Sequence, residues 1–419
     1  MVELANPVQP YPWGSRTVIA ELLGEPVPAP GPQAELWLGA HPRAPSRVGG
    51  IALSEVIADD PGSTLGAAVT AEFGPRLPFL LKVLAADSPL SLQVHPSPAQ
   101  AREGYAGEEA AGVPVDADHR NYRDDWPKPE LICALTDFDG LCGFRDPESS
   151  RRLFELLVRH GARVLRPYAD ALEPGADLGA LVARLLTADP AHADALVTEV
   201  ARASASVSES GEADLAWAVD LAAAYPGDPG VVVALLLHHV RLAPGEALYL
   251  PAGNLHAYLH GAGVEVMAAS DNVLRGGLTG KHIDVPELLR VLDARPVDVD
   301  VLRPRVDGAE AVYDTAARHF RLSCIDVSAE PVTLPGGGPQ ILLCVAGTAE
   351  VRAGDEHVTL RGGRAAFVGA ATACAVLSGS GRVYRATVGH GVTLRSGNET
   401  GEGPDGAAAH GSVPPGRGN

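Results

Sequence analysis

The most specific pattern in the chain has the spacing G-x5-P-x-G-x2-H and consists of Gly245, Pro251, Gly253 and His256. The two glycines predict turns at the ends of a short strand over residues 246–250. His256 then opens the next strand, so that its imidazole can point into a β-barrel. Because histidine is a frequent metal ligand, this spacing predicts that His256 binds a metal ion.

A second group of polar residues is predicted to meet His256. Gln93 and His95 are two residues apart, so on one strand they face the same way while Val94 faces outward. Glu130 follows two prolines at the start of an apolar segment. Taken alone, Gln93 would be a hydrogen-bonded core amide and Glu130 a solvated loop charge. Taken together, they predict a metal site made of Gln93, His95, Glu130 and His256.

The predicted ligand set also indicates the metal and its chemistry. Two neutral imidazoles, an amide and a carboxylate leave a divalent ion with one uncompensated positive charge. Such an ion is a good Lewis acid for an oxygen-containing, anionic substrate. We predict one Zn2+ per chain, because zinc accepts nitrogen and oxygen ligands. Manganese, iron and cobalt stay as alternatives, since ligand type alone does not exclude them.

The overall composition excludes several classes of protein. The 419 residues include 52 acidic and 33 basic side chains, for a formal net charge of −19, which argues against nucleic-acid or polybasic membrane-surface binding. No run approaches the roughly 18 apolar residues of a membrane span, and no secretory signal is visible. The five cysteines form no CxxC pair. These features predict a cytoplasmic protein with reduced thiols, and we expect a monomer.

Hydrophobic periodicity divides the chain into β-rich and helical parts. Residues 1–146 are predicted as short strands and loops punctuated by proline and glycine. An amphipathic stripe of leucine and valine at helical spacing within residues 147–238 predicts a helical insertion that covers one mouth of a barrel. Strands return from residue 239, with one helix over 285–292 capped by Asp284. The glycine-rich residues 396–419 are predicted to be a disordered tail.

The metal-site spacing resembles the second metal motif of the cupin superfamily, whose members are jelly-roll barrels. This resemblance and the periodicity predict a mainly β protein with two cupin-type jelly rolls and an α-helical domain. Residues 1–146 and 239–300 would form the metal-binding jelly roll, and residues 301–395 a second one without metal. The helical insertion is 147–238.

Longer segments resemble the type I mannose-6-phosphate isomerase family. They are residues 10–14 (PYPWG), 34–42 (AELWLGAHP), 89–96 (PLSLQVHP), 121–130 (NYRDDWPKPE), 253–259 (GNLHAYL) and 265–281 (EVMAASDNVLRGGLTGK). The resemblance implies a zinc site of the four residues above and interconversion of mannose 6-phosphate and fructose 6-phosphate. Family members usually carry histidine at the position of Pro127 and proline at that of Gly280, so the rim of the site differs here.

The implied reaction assigns roles to further residues. Aldose–ketose isomerisation moves a proton between C1 and C2 through a cis-enediol, which requires a base and positive charge near the enediolate. The resemblance places Arg275, Lys128, Glu265 and Asp271 around the substrate, and we expect all four to be catalytic. Arg275 would stabilise the enediolate or bind the phosphate, and the proton-transferring group stays open among the other three. Substrate binding is expected from Ser91, Lys82, Tyr258 and Lys281.

Two other functions stay as alternatives. One is a different enzyme on the same scaffold, acting on another phosphorylated aldose or, with iron, as a dioxygenase. The other is a non-catalytic protein that binds hexose phosphate. The joint presence of Arg275, Glu265 and Lys128 argues against pure binding, because binding requires no base.

Overall fold

Runs of apolar residues with few breaks form the central strands. The computed structural model describes residues 1–389, so the predicted tail lies outside the described residues. Within them, one antiparallel sheet has ten strands and a second has nine. The first contains Val8–Gln9, Glu35–Leu38, Phe79–Ala86, Gln93–Val94, Glu130–Ala134, Phe138–Phe144, Leu237–Leu242, Ala247–Leu250, His256–Ala268 and Leu274–Arg275. The second contains Val2–Leu4, Arg305–Asp307, Glu310–Tyr313, Arg321–Val327, Val332–Pro335, Gln340–Ala353, Glu356–Arg361, Ala365–Val368 and Cys374–Thr387.

The strand Phe79–Ala86 shows how the two sheets meet. Every residue in it is buried, as expected for a strand covered on both faces. Leu81 and Val83 point to a core shared with Leu322 and Ile341 of the second sheet. Lys82 lies on the opposite face and lines an internal cavity. The strand therefore joins the second sheet to the wall of the candidate site.

The strand His256–Ala268 organises the first sheet. Its beginning pairs with Gln93 and the strand Phe138–Phe144, and its end pairs with the strands Phe79–Ala86 and Glu130–Ala134. Since one strand borders all of these segments, it fixes their register relative to one another. The sheet-rich architecture that the sequence predicts is thus present. The assignment of two cupin-type jelly rolls stays a prediction.

Helices make up most of residues 147–238, which connect the strand Phe138–Phe144 with the strand Leu237–Leu242. They are Pro147–Arg159, Arg166–Ala169, Leu178–Leu186, Pro190–Ser210, Ala216–Ala224 and Gly230–Ala234, with a 3-10 turn at Arg163–Leu165. The predicted stripe is buried in the helix Leu178–Leu186. These helices share a core with Val94, Leu141 and Ala257 of the sheet. They therefore pack against the face of the strands to which Val94 points, and their covering of a barrel mouth stays a prediction.

The amino-terminal part contains helices that the sequence analysis assigned to strands and loops. They are Val18–Leu23, Leu53–Asp59, Pro61–Thr64, Ala67–Phe73 and Pro98–Ala110. Four of them have at most seven residues, too few for a clear amphipathic period. The fifth starts with a capping box in which Ser97 and Gln100 bond to each other's backbone N–H groups. That local signal identifies the helix although its faces are weakly amphipathic.

Two further details concern the first strand and the last helix. Val2–Leu4 was predicted within the metal-binding jelly roll, but it pairs with Ala365–Val368 of the second sheet. The helix Val285–Val291 and its Asp284 cap confirm the prediction, since the Asp284 side chain accepts a hydrogen bond from the Glu287 N–H. Among the described residues, no helix has the length and hydrophobicity needed to cross a membrane. The small sheet Arg47–Val48 and Ile51–Ala52 completes the strands.

Candidate metal centre and substrate cleft

Three buried side chains form a candidate metal centre. One ligand atom each from His95, Glu130 and His256 lies within 4.8 Å of the others. The Nε2 atoms of both histidines are 3.3 Å from Oε2 of Glu130. Gln93 is the cross-strand partner of His256, and both residues line a small internal cavity together with Glu130. Gln93, Glu130 and His256 therefore line one cavity, and His95 contacts Glu130 beside it.

Backbone carbonyl groups orient both imidazoles. Nδ1 of His95 is 2.8 Å from the carbonyl oxygen of Asn272, and Nδ1 of His256 is 3.0 Å from that of Asn254. A carbonyl only accepts, so each Nδ1 carries a hydrogen and Nε2 is the ring atom left for coordination. Nε2 of His95 is buried without a hydrogen-bond partner, and burial lowers the His95 pKa to about 4. Both rings are thus prepared to coordinate a cation.

Turns and register bring the ligands to the same end of the sheet. Gly245 and Gly253 have φ of 88° and 80°, which favours glycine. A Cβ atom on Gly253 would lie 3.1 Å from Cβ of Asp293. The strand Ala247–Leu250 between these turns pairs Leu250 with Glu130. The turn at Gly253 then returns the chain so that His256 begins the next strand beside Glu130.

A lysine neutralises the candidate carboxylate ligand. Nζ of Lys128 lies 3.0 Å from Oε1 of Glu130, and both side chains are buried. Burial raises the Glu130 pKa, but Lys128 and His95 together hold it well below its usual value. Glu130 is therefore an ionised carboxylate, which is the form that binds metal.

A second buried charge network lies next to the metal centre. Nζ of Lys82 is 3.1 Å from Glu35 and 3.0 Å from Glu265. The Tyr258 hydroxyl donates to Oε1 of Glu265 at 3.1 Å. Burial raises the pKa of Glu265 despite the opposing charge of Lys82. These side chains line the cavity that also holds Glu130, so an acid–base group adjoins the candidate metal ligands.

A cleft of ≈ 640 Å³ leads from the surface to this cavity. Lys82, Lys128 and Gln93 line both spaces. Ser91 also lines the cleft, two residues before the strand Gln93–Val94. Of residues 147–238, only Tyr225 contributes to the lining.

Three cations give the outer cleft a positive wall. They are Arg123, Arg275 and Lys281. Burial lowers the pKa of Lys281, and the nearby charges of Arg275 and Arg123 lower it further. Arg275 follows Leu274 in a two-residue strand and is the cross-strand partner of Gln93. Among the described residues, none of the three forms an ion pair, so their charge is available to an anionic ligand.

Asp271 lies at the rim with two basic partners. Its carboxylate is 2.7 Å from Arg43 and 3.4 Å from Nε2 of His41. Burial raises its pKa, but the hydrogen bond from His41 and the charges of His41 and Arg43 outweigh that effect and bring the pKa to about 2. Asp271 is thus a weak base that is already engaged in ion pairs.

Several residues near the site were missed by the sequence analysis. Glu35 and Arg123 lie in segments that carry the family resemblance, but no role was predicted for either of them. Glu35 had a detectable signal, because it is a charged residue in the otherwise apolar strand Glu35–Leu38. Trp37 donates its indole N–H to Glu35 at 2.7 Å. Arg123 had no comparable signal in its polar segment.

The fold and the site define a class: sheet-rich proteins in which a buried His–Glu–His cluster lies at the inner end of a cationic cleft. Comparisons with known proteins are more specific. Residues 1–147 match the family described as "Phosphomannose isomerase type I, catalytic domain". The mannose-6-phosphate isomerase of Escherichia coli is 40% identical over 403 residues, covering 92% of this chain and 99% of the relative. The human mannose-6-phosphate isomerase is 32% identical, covering 88% and 93%.

Solved structures agree with the sequence comparisons. A zinc-bound mannose 6-phosphate isomerase has a TM-score of 0.85 and 37% identity, covering 93% of this chain and 99% of its own. An alanine variant of the phosphomannose isomerase from Salmonella typhimurium has the same TM-score at 36% identity. The chain therefore belongs to the type I phosphomannose isomerase family, a family of enzymes.

Proposed function

We propose that the protein interconverts mannose 6-phosphate and fructose 6-phosphate with one zinc ion held by Gln93, His95, Glu130 and His256. The observation that carries the proposal is the buried triad of ligand atoms within 4.8 Å of one another, in which Nε2 of His95 lacks a hydrogen-bond partner. The names of the relatives add the substrate and the metal. Together they favour this reaction over the other functions that the sequence left open.

The residues present fit a zinc ion. Two imidazole nitrogens, a carboxylate and an amide match the nitrogen and oxygen ligands of zinc sites. When bound, the ion supplies a Lewis acid that polarises an oxygen at C1 or C2 of the sugar. Lys128 lies at the junction of cavity and cleft, and its N–H groups would stabilise the negative charge that develops on the neighbouring oxygen.

Glu265 is the best candidate for moving the proton between C1 and C2. It faces the cavity of the metal ligands, and burial raises its pKa toward the range of an effective base. Asp271 has a pKa of about 2 and two basic partners, so it suits a positioning role. Lys128 already pairs with Glu130. Our proposal therefore ranks Glu265 first among the three residues.

The cations of the outer cleft are suited to the 6-phosphate group. Arg123 and Lys281 line the cleft without ion-pair partners among the described residues, and they would bind a dianion in a protein of net charge −19. Lys82 was also expected to bind the substrate. Its position between Glu35 and Glu265 favours a role in holding Glu265 instead.

Replacing Lys281 by methionine should weaken substrate binding more than turnover. We expect the KM for mannose 6-phosphate to rise about tenfold, because one charge-assisted contact is lost. The kcat should change by less than about threefold if the contact is equal in ground and transition states. Steady-state kinetics with Lys281→Arg as the charge-retaining control checks this. An unchanged KM would remove Lys281 from the phosphate site.

Replacing Arg275 by alanine should leave zinc bound but slow the reaction. Arg275 is the cross-strand partner of Gln93, which places it at the inner end of the cationic wall, where it would stabilise the enediolate. We expect kcat to fall by about 100- to 1000-fold, as for the loss of an oxyanion-stabilising donor. Zinc content and kcat are compared with those of Arg303→Ala, which removes an exposed arginine paired with Glu246. A normal rate in Arg275→Ala would contradict this role.

Solvent exchange tests the proposed function. The zinc-loaded protein is incubated with fructose 6-phosphate in tritiated water, and tritium in the carbon-bound positions of recovered hexose phosphate is counted. Proton transfer through an enediol predicts uptake of tritium together with formation of mannose 6-phosphate. A protein that only binds hexose phosphate would give neither result. If the protein isomerised other phosphorylated aldoses in the same assay but not fructose 6-phosphate, its substrate would be a different one.

A further inference from the structure

We propose that Asn272 is a positioning residue that holds the segment 123–130 against the metal ligand His95. Asn272 lies outside the predicted ligand and substrate residues, and it is completely buried. Through its side chain and its backbone it contacts both segments that supply the amino-terminal ligands. The inference rests on the proposed function only for the identity of the metal.

The Asn272 side chain is bonded entirely to the segment 123–126. Its Oδ1 accepts hydrogen bonds from the N–H groups of Arg123 at 2.7 Å and Asp124 at 3.2 Å. Its Nδ2 donates to the carbonyl groups of Asp124 and Trp126, each at 2.8 Å. Both acceptor positions and both donors of the amide are therefore used. Only an asparagine-like group satisfies two donors and two acceptors at this place.

The Asn272 backbone contacts the metal ligand itself. Its carbonyl oxygen accepts the Nδ1–H of His95 at 2.8 Å, which leaves Nε2 free for coordination. Two residues further along the chain, Leu274 and Arg275 pair with Val94 and Gln93. Asn272 thus lies at the point where the strand carrying Arg275, the strand carrying Gln93 and the 123–130 segment meet.

Two neighbours reinforce the same junction. The Ser270 hydroxyl donates to Oδ1 of Asp124 at 2.8 Å, and the Asp271 N–H donates to Oδ2 of Asp124 at 2.8 Å. Asp124 also accepts the Trp126 N–H at 3.0 Å. The segments 270–272 and 124–126 are therefore bonded in both directions. Glu130 follows Trp126 by four residues. Displacement of the segment 124–126 would therefore move the proposed metal ligand Glu130 and its partner Lys128.

Zinc release from the full-length, zinc-loaded protein tests this inference without substrate. An excess of a colorimetric chelator is added, and the rate of zinc transfer is measured. We expect Asn272→Ala to release zinc about tenfold faster, the lower end of the range for outer-sphere partners of metal ligands. Asn272→Asp keeps the acceptor for two N–H groups but sets an oxygen against two carbonyl oxygens, so it should release zinc at least as fast.

Gln340→Ala is the matched control for a purely structural effect. Gln340 is also a buried amide that bonds to a backbone carbonyl, that of Pro335 at 2.7 Å, and it lies in the second sheet. Thermal unfolding of each metal-free variant is measured alongside. When an Asn272 variant and Gln340→Ala lose the same amount of Tm, only the Asn272 variant should release zinc faster than the unchanged protein. In a kcat assay, Asn272→Ala should lose about tenfold and Gln340→Ala less than about twofold.

Either of two outcomes would overturn the positioning role. One is zinc release from both Asn272 variants at the rate of the unchanged protein. The other is an acceleration no larger than that of Gln340→Ala at the same Tm. If zinc release follows the prediction while no variant or parent isomerises mannose 6-phosphate, the proposed function fails and the role of Asn272 toward the metal stands.

Discussion

His256→Ala is expected to remove the bound zinc and to lower kcat by about ten thousandfold. A catalytic metal contributes several kcal/mol to transition-state stabilisation, and each 1.36 kcal/mol corresponds to about a tenfold change in rate. His256 supplies one of the three side chains in the buried triad, and the remaining imidazole, carboxylate and Gln93 amide would form a poor site. Metal analysis after dialysis, followed by a coupled assay with mannose 6-phosphate, measures both effects.

His260→Ala provides the matched control for this prediction. His260 lies on the same strand, four residues further on, but it is exposed. Its removal tests the loss of an imidazole from that strand without touching the triad, and it should leave zinc content and kcat unchanged within about twofold, as for most surface substitutions. Retention of one zinc ion per chain in His256→Ala would contradict the proposed ligand set.

Glu265→Gln is expected to lower kcat by about a thousandfold while zinc stays bound. General-base catalysis contributes roughly 10²- to 10⁴-fold, and the amide keeps the size of the carboxylate but cannot take a proton from carbon. The hydrogen bond from Tyr258 and the contact with Lys82 can persist with a neutral acceptor. Tritium uptake from solvent should fall in parallel with kcat, because both depend on the same proton transfer.

Two variants distinguish a base at Glu265 from a general effect of the buried charge network. Glu35→Gln removes the second carboxylate beside Lys82, and it should cost less than about tenfold in kcat if Lys82 mainly needs a negative neighbour. Asp271→Asn removes the carboxylate whose pKa is about 2, and it should retain tritium exchange. Equal losses in Glu265→Gln and Glu35→Gln would show that the charge network, and not a base at Glu265, limits the rate.

The proposed metal ligands could be selected from the sequence because their signals are local. Turn-forming residues fix the chain on both sides of the strand Ala247–Leu250, so the position of His256 follows from a spacing of a few residues. The same is true of Gln93 and His95, which alternate with an outward-facing Val94. Glu130 was found because a carboxylate after two prolines begins an apolar strand.

The charge network could not be predicted in the same way. Glu35 and Lys82 are far apart in sequence and meet only because their strands pair in a register that places Lys82 opposite Trp37. Lys82 was expected to bind the substrate, whereas its position between two carboxylates favours a role in holding Glu265. The cluster of Arg123 with Lys281 likewise depends on how two loops fold against each other.

The helical predictions show the same division between local and long-range information. The stripe in Leu178–Leu186 identified a helix correctly, since its apolar residues bury one face. The stripe did not reveal which surface of the sheet the apolar face of the helix would contact. The residues that this face packs with, such as Val94, lie in a distant part of the sequence. Short helices such as Pro61–Thr64 lack a full period and were missed.

Metal removal and restoration, with mannose 6-phosphate as substrate, is the most direct test of a catalytic zinc ion in this protein. The full-length protein is stripped with a chelator, dialysed, and assayed for fructose 6-phosphate before and after addition of stoichiometric Zn2+. We predict loss of activity on stripping and its recovery at one zinc ion per chain, with no recovery in His256→Ala. Full turnover by the verified metal-free protein would contradict a catalytic metal held by Gln93, His95, Glu130 and His256.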